Sequence, residues 1–183
     1  MAPELQIPQV FQNHLLAAIP SAELEHLTPR FQWVELRFNE TLFVSGDKIR
    51  CVYFLLDGVV SIVSEMENGS CVEVGMCGNE GMIGIPIVLG GDIAGHRGVV
   101  QVAGSALKLS VGALTEELRR DGALRSVLLR YVHFALVQAT QTAACNRLHS
   151  LEQRCARWRL EGRLAPNAAS LRSSPPMWPG IRG

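Results

Sequence analysis

The stretch that decides the fold is residues 52–76, which reads VYFLLDGVVSIVSEMENGSCVEVGM. It contains three short apolar runs, and the turn signals Asp57-Gly58 and Asn68-Gly69 separate them. Glycine adopts the positive φ that tight corners need, and Asn or Asp tolerates it next best. Short runs rich in β-branched and aromatic residues between such corners are typical of strands. The stretch therefore predicts three antiparallel strands.

The same pattern of strand-like runs and turns extends on both sides, from residue 31 to residue 111. The other runs read FQWVELRF, TLFV, GVVQVAG and SALKLSV. Many short antiparallel strands in so short a segment favour a double-sheet jelly roll or a small barrel. Before them, residues 10–28 predict short helices that Pro20 separates. The predicted fold class is mainly β with flanking helices.

From Ala113 onward the apolar period changes to that of a helix. Asp121 is the predicted N-cap, and no proline follows it until Pro166. Apolar or small residues then recur at alternating spacings of four and three. These residues, which we call the inner stripe, are Leu124, Leu128, Tyr131, Ala135, Gln138, Thr142 and Cys145. A helix of about 38 residues over 121–160 would be about 57 Å long.

Such a helix is longer than a roll of this size can cover with its own core. Part of the stripe must therefore contact something else, most simply the same helix of a second copy, which predicts a homodimer. The polar Gln138 and Thr142 are compatible with positions that set the register of such a pair. The alternative is a long helix that packs along its own barrel.

Composition and charge argue against several classes of protein, namely those attracted to nucleic acid by overall charge, membrane-spanning proteins and secreted proteins. The chain has 183 residues, 48% hydrophobic residues and a formal net charge of +0, so no overall field attracts nucleic acid or acidic lipid. No apolar run reaches the roughly 18 residues that a membrane span needs, and the N-terminus lacks a secretory signal. We therefore expect a cytoplasmic protein without membrane contacts. The five cysteines include no C-x-x-C pair and are interpreted as reduced thiols.

Residues 81–98, GMIGIPIVLGGDIAGHRG, combine several glycines with a single arginine. Glycines let the backbone approach an anion closely, and the arginine fork binds phosphate. The composition of this segment raises the question of a cradle for a phosphorylated ligand.

The order of these features resembles the effector half of the Crp/Fnr family of bacterial transcription regulators, over roughly residues 13–160. The sequence segments that carry the resemblance are LLAAIP, ELEHLTP, VYFLLDGVVSIV, VEVGMCGNEGMIGIP and ACNRLHSLEQRCARW. The resemblance implies an N-terminal extension over 1–12, a cyclic-nucleotide-binding-like jelly roll over 13–120 and a dimerisation helix over 121–160. The implied function is that of a sensor and dimerisation module rather than an enzyme.

In cyclic-nucleotide-binding members of the family, a glycine, a glutamate, an arginine and a hydroxyl residue hold the ligand. The resemblance places Gly84 and Arg97 at the glycine and arginine positions, but Ile85 at the glutamate position and Gly98 at the hydroxyl position. A missing carboxylate forfeits a hydrogen bond of about 1.5–3 kcal/mol. We therefore expect no tight binding of cyclic AMP, and no cofactor beyond an unidentified small anionic effector.

Two of these residues have alternative interpretations. Arg97 is either an anion ligand, an exposed loop arginine or the partner of a carboxylate of the roll. Thr140 lies near the point where relatives of this family direct a hydroxyl to the nucleotide, often across the dimer. Its alternative role is plain packing.

Family regulators continue from the long helix into a winged helix-turn-helix that reads DNA. Residues 161–183 instead read EGRLAPNAASLRSSPPMWPGIRG, rich in Pro, Ser and Arg, and predict a disordered tail. We expect a truncated or frameshifted regulator whose DNA binding is lost or weak. Its expected partners are a second copy or, in a mixed dimer, a full-length relative.

Two other functions, a metal enzyme and an iron–sulfur sensor, can be compared with the sequence. A cupin-type metal enzyme needs about three histidines and a carboxylate inside the roll, but only one of the five histidines, His96, falls within the predicted roll. An iron–sulfur sensor carries a cysteine cluster near its N-terminus, whereas the first cysteine here is Cys51. The sequence therefore predicts neither catalytic residues nor a metal site. A regulatory domain that binds a cyclic nucleotide or another small anion and acts through a partner remains the alternative function.

Overall fold

The computed structural model describes residues 10–120, 122–150, 152–154 and 156. The predictions for residues 1–9, Asp121 and residues 161–183 lie outside this described part. The described helices and strands, in chain order, are α1 (His14–Ala17), α2 (Ser21–Leu27), a 3₁₀ turn (Thr28–Arg30), β1 (Gln32–Leu36), β2 (Thr41–Phe43), β3 (Cys51–Glu65), β4 (Cys71–Cys77), β5 (Met82–Ile83), α3 (Ile85–Val88), β6 (Arg97–Ser110), α4 (Val111–Leu118) and α5 (Ala123–Leu148).

Two long antiparallel strands, β3 and β6, form the axis of the sheet. β3 pairs with β5 near its start and with β4 near its end. β6 pairs with β2 near its start and with β1 near its end. Because β3 and β6 run antiparallel, the strands form two groups, β1–β6–β3–β5 and β2–β6–β3–β4.

The predicted turn at Asp57-Gly58 is instead a bend inside one continuous strand. Gly58 has φ +85° and its neighbours lie in an irregular part of the β3–β6 ladder, so β3 bends there without ending. Gly104 of β6 lies against the same bend, where a Cβ would contact the backbone of Asp57 and would lie 2.6 Å from Gly58 N. The bend brings the two strand groups together. Leu55 and Ala106 of one group share a hydrophobic cluster with Val60 of the other.

The helices cover the outer side of the first strand group. Val52 and Phe54 of β3 share the largest described cluster with Leu24 of α2, Leu114 of α4 and Leu128 of α5. This layer and the roll interior confirm the predicted fold class, a mainly β jelly roll of the cyclic-nucleotide-binding type with flanking helices and a long helix.

Asn13 fixes the first helix to the roll. Its side chain is fully buried and its Oδ1 accepts hydrogen bonds from Leu15 N and Leu16 N, which caps α1. Its Nδ2 donates to the carbonyl oxygens of Leu55 and Gly81, both at 2.8 Å. One buried side chain therefore satisfies backbone groups of a helix, a strand and a loop, which is the condition for burying it without a large cost.

The long helix is shorter than predicted. α5 has 26 residues, about 39 Å at 1.5 Å per residue, and ends at Leu148. His149 follows with an extended backbone, ψ 148°. Ser150 N then donates to Gln153 Oε1 at 3.0 Å, and Gln153 N donates to Ser150 Oγ at 3.4 Å. This reciprocal pair is a capping box that starts a new helical turn. The predicted uninterrupted helix over 121–160 is therefore wrong.

Candidate functional site

Gly84 and Ile85 form the start of α3, at the side of the roll that faces the helices. Gly84 caps α3 with φ +105°, and a Cβ there would lie 2.7 Å from Val52 Cγ1, so that glycine is the residue that fits. Ile85 is half-buried and packs against the cluster between the roll and the helices. At the position where the resemblance implies a glutamate, the structure thus has a side chain that contributes to the core.

Arg97 lies at the start of β6, directly opposite Val63 of β3. Its Nη1 is 3.1 Å from Glu65 Oε1, and its Nη2 is 3.9 Å from Cys71 Sγ. The guanidinium side chain is about one-quarter exposed (26%). The sequence left three interpretations of Arg97 open. In the structure, Arg97 pairs with a carboxylate of the roll.

Gly98 follows Arg97, so its missing side chain would point to the opposite face of the strand. Its partner across the ladder is Phe43 of β2. A Cβ on Gly98 would lie 2.9 Å from Phe43 Cζ, because the phenyl ring covers this position. The aromatic ring therefore covers the position at which the resemblance implies a hydroxyl. Phe43 is a residue that the sequence analysis did not identify, since only the pairing of β2 with β6 brings it here.

Thr140 lies on the exposed surface of α5, and its Oγ1 donates to Val137 O at 2.8 Å. Its hydroxyl is therefore satisfied within its own helix. The five residues predicted as a phosphate cradle, Gly84, Ile85, Arg97, Gly98 and Thr140, thus have different surroundings. Gly84 and Ile85 lie against the layer of helices. Arg97 contacts the Glu65 carboxylate, and Gly98 lies against the Phe43 ring. Thr140 lies on the surface of α5.

The inner stripe of α5 contacts its own subunit. Leu124, Leu128, Tyr131 and Cys145 are buried within one chain, and the three other members, Ala135, Gln138 and Thr142, are half-buried. Thr142 Oγ1 donates to Gln138 O at 2.8 Å, within the helix. The subunit itself covers these four buried residues, so no second copy is needed to bury them, and pairing through the inner stripe stays a prediction. This is the alternative arrangement, a helix packed along its own roll.

Tyr131 connects α5 to the roll at Gly81. Its hydroxyl donates to Met82 O at 3.3 Å and lies 3.5 Å from Cys77 Sγ. A side chain on Gly81 would collide with this hydroxyl and with the Cys77 sulfur. Burial raises the pKa of both the Cys77 thiol and the Tyr131 phenol, so both groups stay neutral near pH 7.

Another side of α5, about one-third of a turn around the helix from the inner stripe, carries a second apolar stripe, which we call the outer stripe. Its members, also spaced by three and four residues, are Leu129, Val132, Leu136, Ala139 and Ala143. Leu129 is 41% exposed and Leu136 is 61% exposed. Nothing in the sequence separates this stripe from the inner stripe, because both follow the same spacing of three and four residues.

Residues 33–121 match the cyclic nucleotide-binding domain family. The match covers the sheet, α3 and α4, and stops before α5. It agrees with the jelly-roll fold. No curated protein matches the sequence.

Solved structures of similar fold include several bacterial regulators. One is the N-terminal domain of a transcriptional regulator from Streptomyces coelicolor A3(2), at TM-score 0.55 and 22% identity, covering 77% of this chain and 99% of that one. Another is the c-di-GMP responsive global regulator CLP from Xanthomonas campestris, at TM-score 0.63 and 17% identity, covering 78% and 72%. A third is the sensor domain of the transcriptional regulator DNR from Pseudomonas aeruginosa, at TM-score 0.58 and 18% identity, covering 78% and 93%.

The N-terminus of α5 is held by a carboxylate of α2 that the sequence analysis did not identify. Glu23 accepts hydrogen bonds from Ala123 N at 2.9 Å and from Leu124 N at 3.1 Å. Gly122 gives this carboxylate room, because a Cβ there would lie 2.6 Å from Glu23 Oε2. A negative charge is favourable at a helix N-terminus, so Glu23 holds the start of α5 against α2.

Two features of the described residues concern metal binding and membrane insertion. Within the part of the chain that the structure describes, no group of three or more His, Cys, Asp or Glu side chains is arranged to hold a metal ion. Of the helices in that part, none is long and apolar enough to cross a membrane.

Proposed function

We propose that this chain is the cytoplasmic sensor and dimerisation module of a Crp/Fnr-type bacterial transcription regulator, and that two copies pair through the outer stripe of α5. The cyclic nucleotide-binding fold and its likeness to sensor domains of transcriptional regulators support a regulatory rather than a catalytic role. The observation that carries the proposal is the exposed outer stripe on a helix whose other side is already covered.

A second copy is the occupant that fits this stripe best. A helix that is apolar on both sides is stable in water when both sides are covered, and the roll covers the inner side here. Leu129 and Leu136 lie one heptad apart, and Val132 and Ala139 occupy the intermediate positions, which is the seam of a two-stranded coiled coil. The small Ala139 and Ala143 allow two such helices to approach closely.

Replacing Leu136 by aspartate is expected to convert the dimer to a monomer. The substitution would bury two like charges against each other across a two-fold axis, whereas the same residue on a free helix is solvated. Light scattering after size-exclusion chromatography measures the result. The wild-type molar mass is expected at twice the chain mass of 20.0 kDa, and that of the variant at the chain mass.

The matched control is Val137→Asp, because Val137 is adjacent, 50% exposed and outside the outer stripe. This variant is expected to keep the wild-type molar mass. A monomeric wild-type protein, or an equal loss of dimer in both variants, would contradict pairing through the outer stripe.

The same proposal includes two narrower points. Tight binding of cyclic AMP is not expected, because Ile85 packs into the core and the Phe43 ring covers Gly98. A mixed dimer with a full-length relative is expected wherever that relative carries a compatible apolar stripe. The predicted loss of DNA binding concerns residues 161–183, which lie outside the described residues, and it stays a prediction.

A further inference from the structure

The turn between β1 and β2 is tied to the sheet and presents an aromatic side chain to water. Asn39 N donates to Val100 O at 2.8 Å, and Val100 N donates to Glu40 O at 2.9 Å, which joins the turn to β6. Arg37 N donates to Glu40 Oε2 at 3.0 Å, which closes the turn on itself. Phe38 lies in this turn and is 56% exposed, more than any other Phe, Tyr or Trp in the described part of the chain. The fold therefore holds a large apolar side chain in place without covering it.

A groove lies beside this turn, along β1. Its volume is about 670 Å³, and its lining includes the aromatic Trp33 and Phe38 and the charged Glu35, Arg37 and Glu40. Among the described strands, β1 is at the end of the sheet order and pairs with β6 alone, so the groove follows an open sheet edge. Ligand sites have volumes of about 300–1,000 Å³. The groove is therefore large enough to take a segment of extended chain.

The lining combines aromatic surface with more carboxylates than cations. Glu35 and Glu40 face one cation, Arg37, whose Nε is 3.7 Å from Glu35 Oε2. The side chains of Arg37 and Glu35 are 80% and 64% exposed, so this ion pair is weak and rearranges easily. Proline rings pack on aromatic side chains, and an arginine guanidinium pairs with a carboxylate. The groove therefore fits an extended segment that carries proline and arginine and no acidic residue.

Residues 172–182 of the same chain, which we call the proline segment, have this composition. They lie outside the described residues and read RSSPPMWPGIR, with an arginine at each end, three prolines and no acidic residue. A polyproline II helix has three residues per turn, so Pro176 and Pro179 fall on one side of it, about 9 Å apart. The proline segment begins 16 residues after Ala156, the last described residue. That length of extended chain spans up to about 53–58 Å, which is longer than α5, so the proline segment can return to the roll.

We propose that this groove binds the proline segment of its own subunit. The proline rings pack on Trp33 and Phe38, and a flanking arginine pairs with Glu35. Tethering gives such a segment an effective concentration of about a millimolar, so a contact that is weak on its own is still occupied. The groove lies on the roll and not on α5, so the inference goes beyond pairing through the outer stripe and does not depend on it.

Limited digestion of the full chain with trypsin tests this contact, because a bound segment is cleaved only when it leaves the groove. Trypsin cleaves after Arg172, inside the proline segment, and after Arg163, which precedes it and serves as the internal reference. Mass spectrometry of the products gives the ratio of the two cleavage rates. In Phe38→Ser, cleavage after Arg172 relative to Arg163 is expected to rise by about threefold or more over the wild type, because the open fraction increases.

Two variants make the outcome decisive, and far-UV circular dichroism checks that each variant is folded. Leu89→Ser is the matched control, because Leu89 is 63% exposed and lies outside the groove, and it is expected to keep the wild-type ratio. The double variant Pro176→Ala with Pro179→Ala leaves the roll itself unchanged and is expected to raise the ratio as Phe38→Ser does. An unchanged ratio in Phe38→Ser or in the double proline variant, or an equal rise in Leu89→Ser, would overturn the inference.

The Leu136→Asp variant separates this inference from the proposed function. Binding within one subunit predicts the same cleavage ratio in Leu136→Asp as in the wild type, whatever the molar mass. A rise of the ratio in Leu136→Asp would overturn binding within the subunit. A monomeric wild type whose ratio still rises in Phe38→Ser would contradict only pairing through the outer stripe.

Discussion

Replacing Leu128 by alanine is expected to lower the free energy of unfolding by about 2–5 kcal/mol, the range for a fully buried leucine. Leu128 has no exposed surface and lies in the cluster that joins α5 to the roll. The loss combines the lost transfer of apolar surface from water with a cavity that its neighbours fill only in part. Urea denaturation in the monomeric Leu136→Asp background measures this term without a contribution from subunit dissociation.

The control for Leu128 is Leu89→Ala, because Leu89 is 63% exposed and directly follows α3. Its replacement is expected to change stability by less than about 0.5 kcal/mol. The comparison also decides between the two roles of the inner stripe. An unchanged stability of Leu128→Ala, with loss of the dimer in an otherwise wild-type chain, would show that Leu128 belongs to an interface after all.

Replacing Gly104 by alanine is expected to destabilise the roll by about 3 kcal/mol or more, at the upper end of the overpacking range. The added Cβ would meet backbone atoms of Asp57 and Gly58, which cannot rotate away as a side chain does. Relief would require the two strands to separate at the bend that brings the strand groups together. Thermal unfolding followed by circular dichroism measures the loss.

Gly75→Ala is the matched control for Gly104→Ala. Gly75 also lies in a strand and has φ outside the positive range, but a Cβ there has no neighbour within 4 Å. It is expected to melt within a few degrees of the wild type. Similar melting temperatures for both variants would show that the contact between the bends of β3 and β6 is not what closes the roll.

The sequence predicted the strands well where apolar runs and turn residues agree. The runs around residues 52–76 became β3 and β4, and Asn68-Gly69 lies between these two strands. Asp57-Gly58 was predicted as a turn for the same reason, but there the strand bends without ending and continues in the next part of the ladder. Local propensity is the same in both cases. The difference is the opposing strand β6, which is distant in sequence and pairs with β3 on both sides of Gly58.

The candidate site was less accessible from the sequence because its contacts are long-range. Arg97 and Glu65 are neighbours only through the β3–β6 register, and Phe43 meets Gly98 only through the β2–β6 register. Neither pair has a local sequence signal. The inner stripe illustrates a different difficulty, since an apolar period identifies a helix face that is covered but not what covers it. The long helix breaks at His149 because a capping box starts a new helical turn there. The sequence-based prediction followed the apolar period and did not identify this capping box.

Disulfide formation tests most directly whether two α5 helices meet along the outer stripe. In a parallel pair, whose two-fold axis runs along the helices, each residue of the seam faces its own copy, and a disulfide needs Cβ atoms about 3.5–4.5 Å apart. Under mild oxidation, Leu136→Cys is expected to form a covalent dimer on a non-reducing gel, above the background of the untreated and wild-type chains. Val137→Cys is expected not to exceed that background. Equal crosslinking of the two variants, or none in Leu136→Cys, would contradict pairing along the outer stripe.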